Sequence, residues 1–304
     1  MSGADAKILV TGATGFTGGF VLGALEARGR PFAAFARPGP KADALRARGV
    51  DVREGDLDRP ESLEAALRDG CDRLINVASL GFGHADRIVG AVEASGVRRA
   101  VFVSTTAIFT RLAAPSKTVR VAAEERIRAS ALDWTILRPT MIYGTDGDRN
   151  LSRLVRWLER RPFVFVPGSG RHLVQPVHVE DVAEACVRAV LADVAIGREY
   201  AVSGGAPLTF LDLLDAAGRA VGRRRVWKIR IPAPAAKLGA WLTRPFLGRR
   251  GISPEQIDRL NEDKAFPHDN LTRDLGLEPR SFDTGVAQLV EWMARSSDPG
   301  GSEV

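Results

Sequence analysis

Three glycines at intervals of three residues could hold a phosphate group near the start of the chain. They lie in the segment TGATGFTG at residues 11–18, between a short apolar run at 7–10 and an apolar-periodic stretch that predicts a helix. A helix that begins here turns its free amide groups and the positive end of its dipole toward a bound phosphate. Gly12 permits a tight turn, Gly15 lets the backbone approach a pyrophosphate, and Gly18 lets the helix pack close to the strand. The residues predicted to contact a dinucleotide here are Gly12, Thr14, Gly15, Phe16, Thr17 and Gly18.

An arginine at the end of the second predicted strand helps to indicate whether the dinucleotide is NAD or NADP. The apolar run 32–36 leads directly into Arg37, and no acidic residue lies between Glu26 and Asp43. An acid at this point would accept hydrogen bonds from the ribose 2′-hydroxyl of NAD, whereas an arginine pairs bidentately with a 2′-phosphate. The sequence therefore predicts NADP (NADPH) rather than NAD. The alternative is an exposed arginine that tolerates either cofactor.

The elements that must position these residues alternate between short apolar strands and amphipathic helices, from residue 7 to the region of residue 145. The strands are continuous apolar runs, which is typical of a parallel sheet covered by helices on both faces. We predict an α/β fold, with a doubly wound parallel Rossmann sheet and a smaller, mostly helical C-terminal substrate domain. The dinucleotide-binding domain is placed at residues 1–165, with 176–203 returning to it. The substrate domain is placed at 204–304, and its polar tail at 296–304 is expected to be flexible.

The spacing of the glycines, three and three rather than two and three, resembles that of the short-chain dehydrogenase/reductase superfamily. The order of further motifs is similar to its extended or atypical branch, the nucleotide-sugar (NAD-dependent) epimerase/dehydratase-like family. The segments that carry this resemblance are GDL at 55–57, NVAS at 76–79, VFVST at 101–105, LRPTMIYG at 137–144 and PVHVEDVA at 176–183. The resemblance implies cofactor contacts beyond the glycine loop, at Asp56, Leu57, Val77, Ala78, Ser79, Pro139, Met141 and Ile142.

The acid/base pair of that superfamily, Tyr-x-x-x-Lys, is absent from its usual helix. Ser116 and Arg120 stand in the places of the tyrosine and the lysine. The catalytic candidates are therefore Thr105, which would orient the substrate, Lys117 and Arg120. Lys117 would donate a proton if its pKa were depressed; otherwise it is a loop lysine that touches ribose, phosphate or solvent. Arg120 would hold the ribose hydroxyls, or else is a surface or substrate-binding arginine.

Three more residues are expected to line the substrate site: His84, Thr106 and Tyr143. Thr106 is the alternative to Thr105 as the orienting hydroxyl. His84 follows the fourth strand, where cofactor and substrate meet in the superfamily, and its alternative role is to begin a helix. Tyr143 is expected beside the nicotinamide end as a packing residue rather than a catalytic one. The four histidines share no ligand spacing and only two cysteines are present, so no metal site is predicted.

Positive charge is concentrated in one part of the chain. The net charge is +6, yet ten lysines and arginines and no acid lie between Asp215 and Glu255. This local surplus indicates that the region binds an anionic partner. The favoured interpretation is that it forms the wall of a pocket for a diphosphate-bearing substrate, and the alternative is that residues 232–251 contact an anionic membrane surface. Nucleic acid is not expected because no binding module is recognised. The sequence begins without a signal-peptide pattern and has no apolar run of spanning length, so a cytoplasmic location is expected.

These features together predict an NADP-dependent oxidoreductase or epimerase that acts by hydride transfer. The substrate is expected to be an anionic small molecule, with a nucleotide sugar as the best candidate. The alternative is a non-catalytic NADP-binding scaffold or redox-sensing protein, which the missing tyrosine would suit. The sequence leaves the oligomeric state open, with a homodimer as one alternative.

Overall fold

A computed structural model describes residues 6–112, 115–148, 150–247 and 254–297 of the chain. Its strands are β1 (Ile8–Thr11), β2 (Phe32–Ala36), β3 (Val52–Glu54), β4 (Arg73–Asn76), β5 (Arg99–Val103), β6 (Asp133–Pro139), β7 (Ile142–Tyr143), β8 (Phe163–Pro167), β9 (Leu173–Val174), β10 (Val177–His178), β11 (Arg198–Val202), β12 (Leu208–Thr209) and β13 (Trp227–Ile231). Its helices are α1 (Phe16–Glu26), α2 (Pro40–Ala47), α3 (Pro60–Arg68), α4 (Ala85–Ser95), α5 (Pro115–Arg128), α6 (Leu151–Arg160), α7 (Val179–Leu191), α8 (Phe210–Ala220), α9 (Ala233–Leu247), α10 (Pro254–Leu260), α11 (Asp269–Leu275) and α12 (Phe282–Ser297).

A seven-stranded parallel sheet forms the centre of the larger lobe, in the order β11-β6-β5-β4-β1-β2-β3. The predicted doubly wound parallel sheet is thus confirmed. Strand β1 has β2 on one side and β4 on the other, so the connections leave in opposite directions from it. In such sheets the crevice at this reversal, outside the carboxyl ends of the strands, is where ligands bind.

Both faces of the sheet are covered by helices, which explains why its strands read as unbroken apolar runs. Ile8 and Val10 of β1 point into a core shared with α1 and α7, whereas Leu9 points into a core with α3, α4 and α5. All three side chains are 0% exposed. This alternation follows from the two-residue period of a strand, with both of its faces dry here.

A second lobe has its own apolar core, built by α6, β8, α8 and α12. The first domain is expected to extend to residue 165, yet Leu151, Val155 and Leu158, which precede that boundary, pack into this second core. Conversely, helix α11 returns to the first lobe and lies against α7 and β11. The reason is chain connectivity: α6 and β8 leave the sheet before β11 re-enters it, so neither lobe is continuous in sequence.

The described part of the chain contains no helix that is long and apolar enough to cross a bilayer. Most of the tail expected to be flexible, residues 298–304, lies outside the described residues, while α12 continues to Ser297. Of the basic stretch, Arg249 and Arg250 also lie outside the described residues.

Candidate functional site

The glycine-rich loop between β1 and α1 packs so tightly that two of its glycines leave no room for a side chain. Gly12 has a φ of +68°, and a Cβ there would lie 2.7 Å from the amide nitrogen of Ala78 and 2.9 Å from the carbonyl carbon of Val77. A Cβ at Gly18 would overlap the carbonyl oxygen of Gly12, so α1 can approach β1 only with glycine at that position. At Gly15, just before α1, the only neighbour within 4 Å of a Cβ would be that same oxygen, at 3.1 Å. The loop therefore offers an open backbone surface at a helix N-terminus, which fits the pyrophosphate of a dinucleotide.

Two buried polar side chains join the carboxyl ends of β1 and β4. Thr11 Oγ1 donates to Asn76 Oδ1 at 2.6 Å, and Asn76 Nδ2 donates to the carbonyl of Ala78 at 3.1 Å. Thr11 and Asn76 are both 0% exposed. Further along, Ser79 Oγ accepts from the amide of Gly81 at 3.3 Å. The segment of predicted cofactor contacts after β4 is thus held against the glycine loop.

The carboxyl end of β2 presents a positive charge to solvent. Arg37 follows β2 directly, is exposed, and forms no ion pair within the described part of the chain. Two carboxylates lie near it in the fold, Asp43 on α2 and Glu54 on β3, but both pair with Arg46. Neither of these carboxylates therefore neutralises the charge of Arg37.

The residues predicted to cover adenine lie at the end of β3. Asp56 and Leu57 are half-buried. The amide of Asp56 donates to Ser62 Oγ at 3.0 Å, and Asp56 Oδ1 accepts from the amide of Asp58 at 3.0 Å. Because Ser62 belongs to the first turn of α3, the helix fixes the shape of this loop.

A buried ion-pair network lies under the opposite end of the crevice. Glu124 of α5 is 1% exposed, accepts from Ser104 Oγ at 2.6 Å, and is paired with Arg138 Nη2 at 2.6 Å and Arg128 Nη2 at 2.9 Å. Arg138 also reaches Glu199 of β11 at 2.6 Å. Burial alone would lower the pKa of Arg138, but its hydrogen bonds to Glu124 and Glu199 hold that pKa above its usual value. The network ties α5, β6 and β11 together directly below the segment that contains Thr105.

The two threonines after β5 have different partners. Thr105 Oγ1 accepts from the amide of Ala107 at 3.2 Å, which leaves its own proton for another acceptor. Thr106 is 8% exposed and donates its proton to the carbonyl of Pro139, 3.3 Å away. Of the two candidates, the geometry leaves Thr105 the better placed to donate to a ligand.

The helix that usually carries the acid/base pair presents two cations to the crevice. Lys117 Nζ donates to the carbonyl of Thr110 at 2.6 Å, so at least one of its protons is used within the loop after β5. The guanidinium of Arg120 lies over the turn after β4, where a Cβ at Gly81 would come within 2.9 Å of its Cζ. Arg120 also donates to the carbonyl of Ser116 at 3.3 Å and has no carboxylate partner among the residues that the structure describes.

Two more cations, Arg259 and Lys264, lie in the segment around the end of α10, and Arg259 acts on Arg120. Burial and the positive charge of Arg259 lower the pKa of Arg120, and the same two causes lower the pKa of Lys264 against the opposing effect of Glu262. Glu262 accepts from Thr110 Oγ1 at 2.6 Å, which fixes the segment after α10 to the loop after β5. Arg259 therefore lies close enough to act on both Arg120 and Lys264, and we call these three residues the cation cluster.

Apolar side chains are exposed at the carboxyl edges of three neighbouring strands. Phe82 after β4, Phe109 after β5 and Met141 after β6 are 77%, 53% and 36% exposed. Phe109 also packs on Phe266 of the smaller lobe, with ring centroids 5.7 Å apart. This edge can therefore contact the apolar part of a ligand.

Tyr143 lies beneath the site rather than in it, which corrects its predicted role as a substrate contact. Its ring is 1% exposed, edge-on to His178 at 5.4 Å and tilted against Phe282 at 5.6 Å. A Cβ at Gly285 of α12 would overlap its hydroxyl. The pairing of β7 with β10 and the packing of α12 cover this side chain, so it cannot reach a bound substrate in this arrangement.

The remaining predicted residues lie at the rim or in the wall. His84 immediately precedes α4, and its Nε2 is 3.3 Å from Asp58 Oδ1 on the rim of the crevice. Ile142 is half-buried in the pairing of β7 with β10, and Pro139 is buried at the end of β6. Among the described residues, no group of three or more histidines, cysteines and acids could hold a metal ion.

The sequence analysis missed the partners that come from distant segments. Glu124 is one of them, although its four-residue spacing from Arg120 and Arg128 could have suggested a charge network. Arg259 and Lys264 carry no motif, and only the fold brings Arg259 to Arg120.

Comparison with known proteins identifies the family. The sequence model of the NAD(P)H-binding family matches residues 12–193. Over 93% of this chain and 98% of its relative, the sequence is 28% identical to 2-alkyl-3-oxoalkanoate reductase of Stenotrophomonas maltophilia. It is 33% identical to (4-alkanoyl-5-oxo-2,5-dihydrofuran-3-yl)methyl phosphate reductase of Streptomyces griseus, over 71% of this chain and 74% of that protein.

The fold also has solved counterparts. The UDP-glucose 4-epimerase of Thermus thermophilus, in complex with NAD, superimposes with a TM-score of 0.71 at 21% identity, covering 94% of this chain and 98% of that one. The enzyme class follows from the relatives, so the scaffold without turnover is set aside. The chain belongs to the NAD(P)H-binding family and is a nicotinamide-dependent enzyme of the short-chain dehydrogenase/reductase type.

Proposed function

We propose that this protein is an NADPH-dependent reductase that acts on a ketone carried by an anionic substrate with an alkyl chain. The observation that carries the proposal is the cation cluster beside the crevice, in which Arg120 is half-buried without a carboxylate partner among the described residues. A buried cation of this kind is stabilised by an anion that arrives with the ligand. Both relatives named above are reductases of alkyl-bearing anions by their names, which supports the same class here.

The apolar edge supports an alkyl chain over a sugar. Phe82, Phe109 and Met141 offer contact area to methylene groups but no donors or acceptors for sugar hydroxyls. The cation cluster would also hold a diphosphate, so a nucleotide sugar stays the second candidate. The preference for NADPH rests on Arg37, whose charge suits a 2′-phosphate while both nearby acids are paired with Arg46.

The chain's own residues would act on the carbonyl by position and charge. The reduced nicotinamide, when bound, supplies the hydride. Thr105 would donate a hydrogen bond to the carbonyl oxygen, and Arg120 would stabilise the negative charge of the substrate and of the developing alkoxide. Lys117 has three N–H groups and uses one on Thr110, so its other protons are available for that alkoxide directly or through water.

The test compares a 2-alkyl-3-oxo acid with its methyl ester by NADPH oxidation at about 340 nm. The ester has no carboxylate and therefore lacks one charge-assisted interaction, which corresponds to about 10- to 150-fold in kcat/KM. The wild-type enzyme should have a kcat/KM that is higher for the acid than for the ester by that factor. Arg120→Ala should remove the preference for the acid, and Arg120→Lys should keep part of it. The control is Arg126→Ala, which alters a solvent-facing ion pair on the same helix and should leave the preference intact. Equal rates with acid and ester in the wild-type enzyme, or turnover of a UDP-sugar in place of both, would exclude the proposed substrate class.

A further inference from the structure

The smaller lobe has an aromatic sheet face that solvent reaches. Strands β8 and β13 pair in parallel, with Trp227 opposite Phe163 and Ile229 opposite Phe165. Paired residues share a face of the sheet, and alternate residues along a strand do too. Phe165, Trp227 and Ile229 are 51%, 57% and 45% exposed, whereas Val166 on the reverse face is fully buried. We call Phe163, Phe165, Trp227 and Ile229 the aromatic face.

Arginine side chains stack at the edges of this face. Trp157 of α6 meets Phe163 edge-on at 5.8 Å, which extends the aromatic face toward α6. The guanidinium of Arg161 lies 4.3 Å above the ring of Trp157, and that of Arg225 lies 4.5 Å above the ring of Trp227. Positive charges therefore lie directly on the rim of an exposed apolar surface.

A shallow groove of about 280 Å³ adjoins the aromatic face along α6. Its lining consists of one tryptophan and four arginines: Arg153, Arg156, Trp157, Arg160 and Arg161. Among the described residues, a carboxylate lies within 4 Å of only one of these arginines, where Asp146 is 3.8 Å from Arg156. The groove is thus strongly cationic.

The same pattern continues into the helix that follows β13. Helix α9 begins two residues after Ile231 and exposes Leu238 and Trp241, at 58% and 62%. The chain has ten cations and no acid between Asp215 and Glu255. Three of these cations, Arg219, Lys228 and Lys237, pair with carboxylates from outside the segment. Exposed apolar side chains and a surplus of positive charge therefore occur together in β13 and α9.

We propose that the aromatic face, with the cationic groove and α9 beside it, rests on the surface of an anionic phospholipid bilayer. Tryptophan rings and the stems of arginine enter the boundary between headgroups and acyl chains, while guanidinium groups meet lipid phosphates. A second copy of the chain is disfavoured as the occupant because it would bring the same positive charges against these. The inference does not depend on the proposed reaction.

The test is sedimentation of the full-length protein with vesicles, in the absence of substrate. Vesicles of phosphatidylcholine with about 30% phosphatidylserine should bind the protein, vesicles of phosphatidylcholine alone should bind it at least 10-fold more weakly, and about 0.5 M NaCl should release it. The charge-reversal variant Arg161→Glu/Arg225→Glu should bind these vesicles at least about 30-fold more weakly. The apolar variant Phe165→Ser should lose about 10-fold.

The matched control is Arg48→Glu/Arg98→Glu, which makes the same change of charge on exposed arginines of the larger lobe and should bind vesicles like the wild type. An unchanged far-ultraviolet circular dichroism spectrum and an unchanged urea unfolding midpoint show, for each variant, that both lobes are folded. Equal loss in the control and in the charge-reversal variant would assign the effect to net charge and overturn the proposal. Failure to bind anionic vesicles would also overturn the proposal. The aromatic face would then hold another occupant: an acidic protein, or a second copy of the chain if the protein forms a concentration-dependent dimer that Phe165→Ser disrupts.

Discussion

Arg37 is the residue on which the proposed preference for NADPH rests. It stands at the end of β2 with its charge unpaired within the described part of the chain, because Arg46 takes both nearby carboxylates. A 2′-phosphate at this position would gain a bidentate, charge-assisted contact, while a 2′-hydroxyl would gain little.

Replacing Arg37 with alanine should therefore weaken NADPH binding by about 10- to 150-fold and leave NADH binding nearly unchanged. Calorimetric titration of both cofactors measures the two affinities. Arg30→Ala, a change just before β2, is the control and should alter neither. If the unaltered protein bound NADH and NADPH equally well, Arg37 would have no part in cofactor choice.

Gly81 holds Arg120 in place through the absence of a side chain. A Cβ at Gly81 would come within 2.9 Å of the guanidinium, so Gly81→Ala must move the end of that flexible side chain. We expect KM for an anionic ketone to rise about 10-fold, as one displaced charge-assisted contact requires, with little loss of stability. Gly90→Ala, where a Cβ would meet nothing within 4 Å, is the matched control. An unchanged KM would mean that Arg120 does not contact the substrate.

At the scale of the elements, the buried carboxylate of Glu124 joins α5 to β6 and, through Arg138, to β11. Removing one partner of a buried ion pair leaves the others uncompensated, which costs about 3 kcal/mol or more. Glu124→Gln should lower the free energy of unfolding in urea by that amount. Glu125→Gln, at the exposed neighbouring position, should change it by less than about 0.5 kcal/mol. Similar losses in both variants would show that the network contributes no special stability.

The elements also show what could be predicted from sequence. The glycine loop and the alternation of strands and helices are local patterns, and each corresponds to a feature of the sheet and its crevice. The boundary at 165 could not be predicted, because the apolar face of α6 gives no indication of which core it joins. The same holds for Glu124, which stands among charged neighbours in a helix that reads as solvated. Arg259 acts on Arg120 from more than 130 positions away in the sequence, and no short-range spacing encodes that closeness.

At the scale of the whole molecule, a buried histidine makes the stability of the folded protein depend on pH. His178 is 4% exposed and lies between Tyr143 of the second core and the carboxylates of α7. Burial and the charge of Arg280 lower its pKa to about 4, against the opposing effects of Glu180 and Asp181. In the unfolded chain the imidazole returns to a pKa of about 6.5.

Between these two pKa values the unfolded state binds a proton that the folded state does not, so this group's contribution to stability falls as the pH falls from about 6.5 to about 4. The loss is about 3 kcal/mol over that range. Urea unfolding at several pH values should show a flatter profile for His178→Asn than for the wild type. His172→Asn, on the surface near Asp263, should keep the wild-type slope. Parallel profiles for wild type and His178→Asn would contradict the role given to this buried ring.

The central claim is that the crevice reduces the ketone of an anionic, alkyl-bearing substrate. The most direct measurement is transfer of deuterium from C4 of stereospecifically labelled NADPH to a 2-alkyl-3-oxo acid, followed by mass spectrometry of the product. We predict one deuterium on the new carbinol carbon, from one face of the nicotinamide only, and a much lower yield with Arg120→Ala. A product without deuterium, or label that enters a UDP-sugar but never the oxo acid, would contradict the claim.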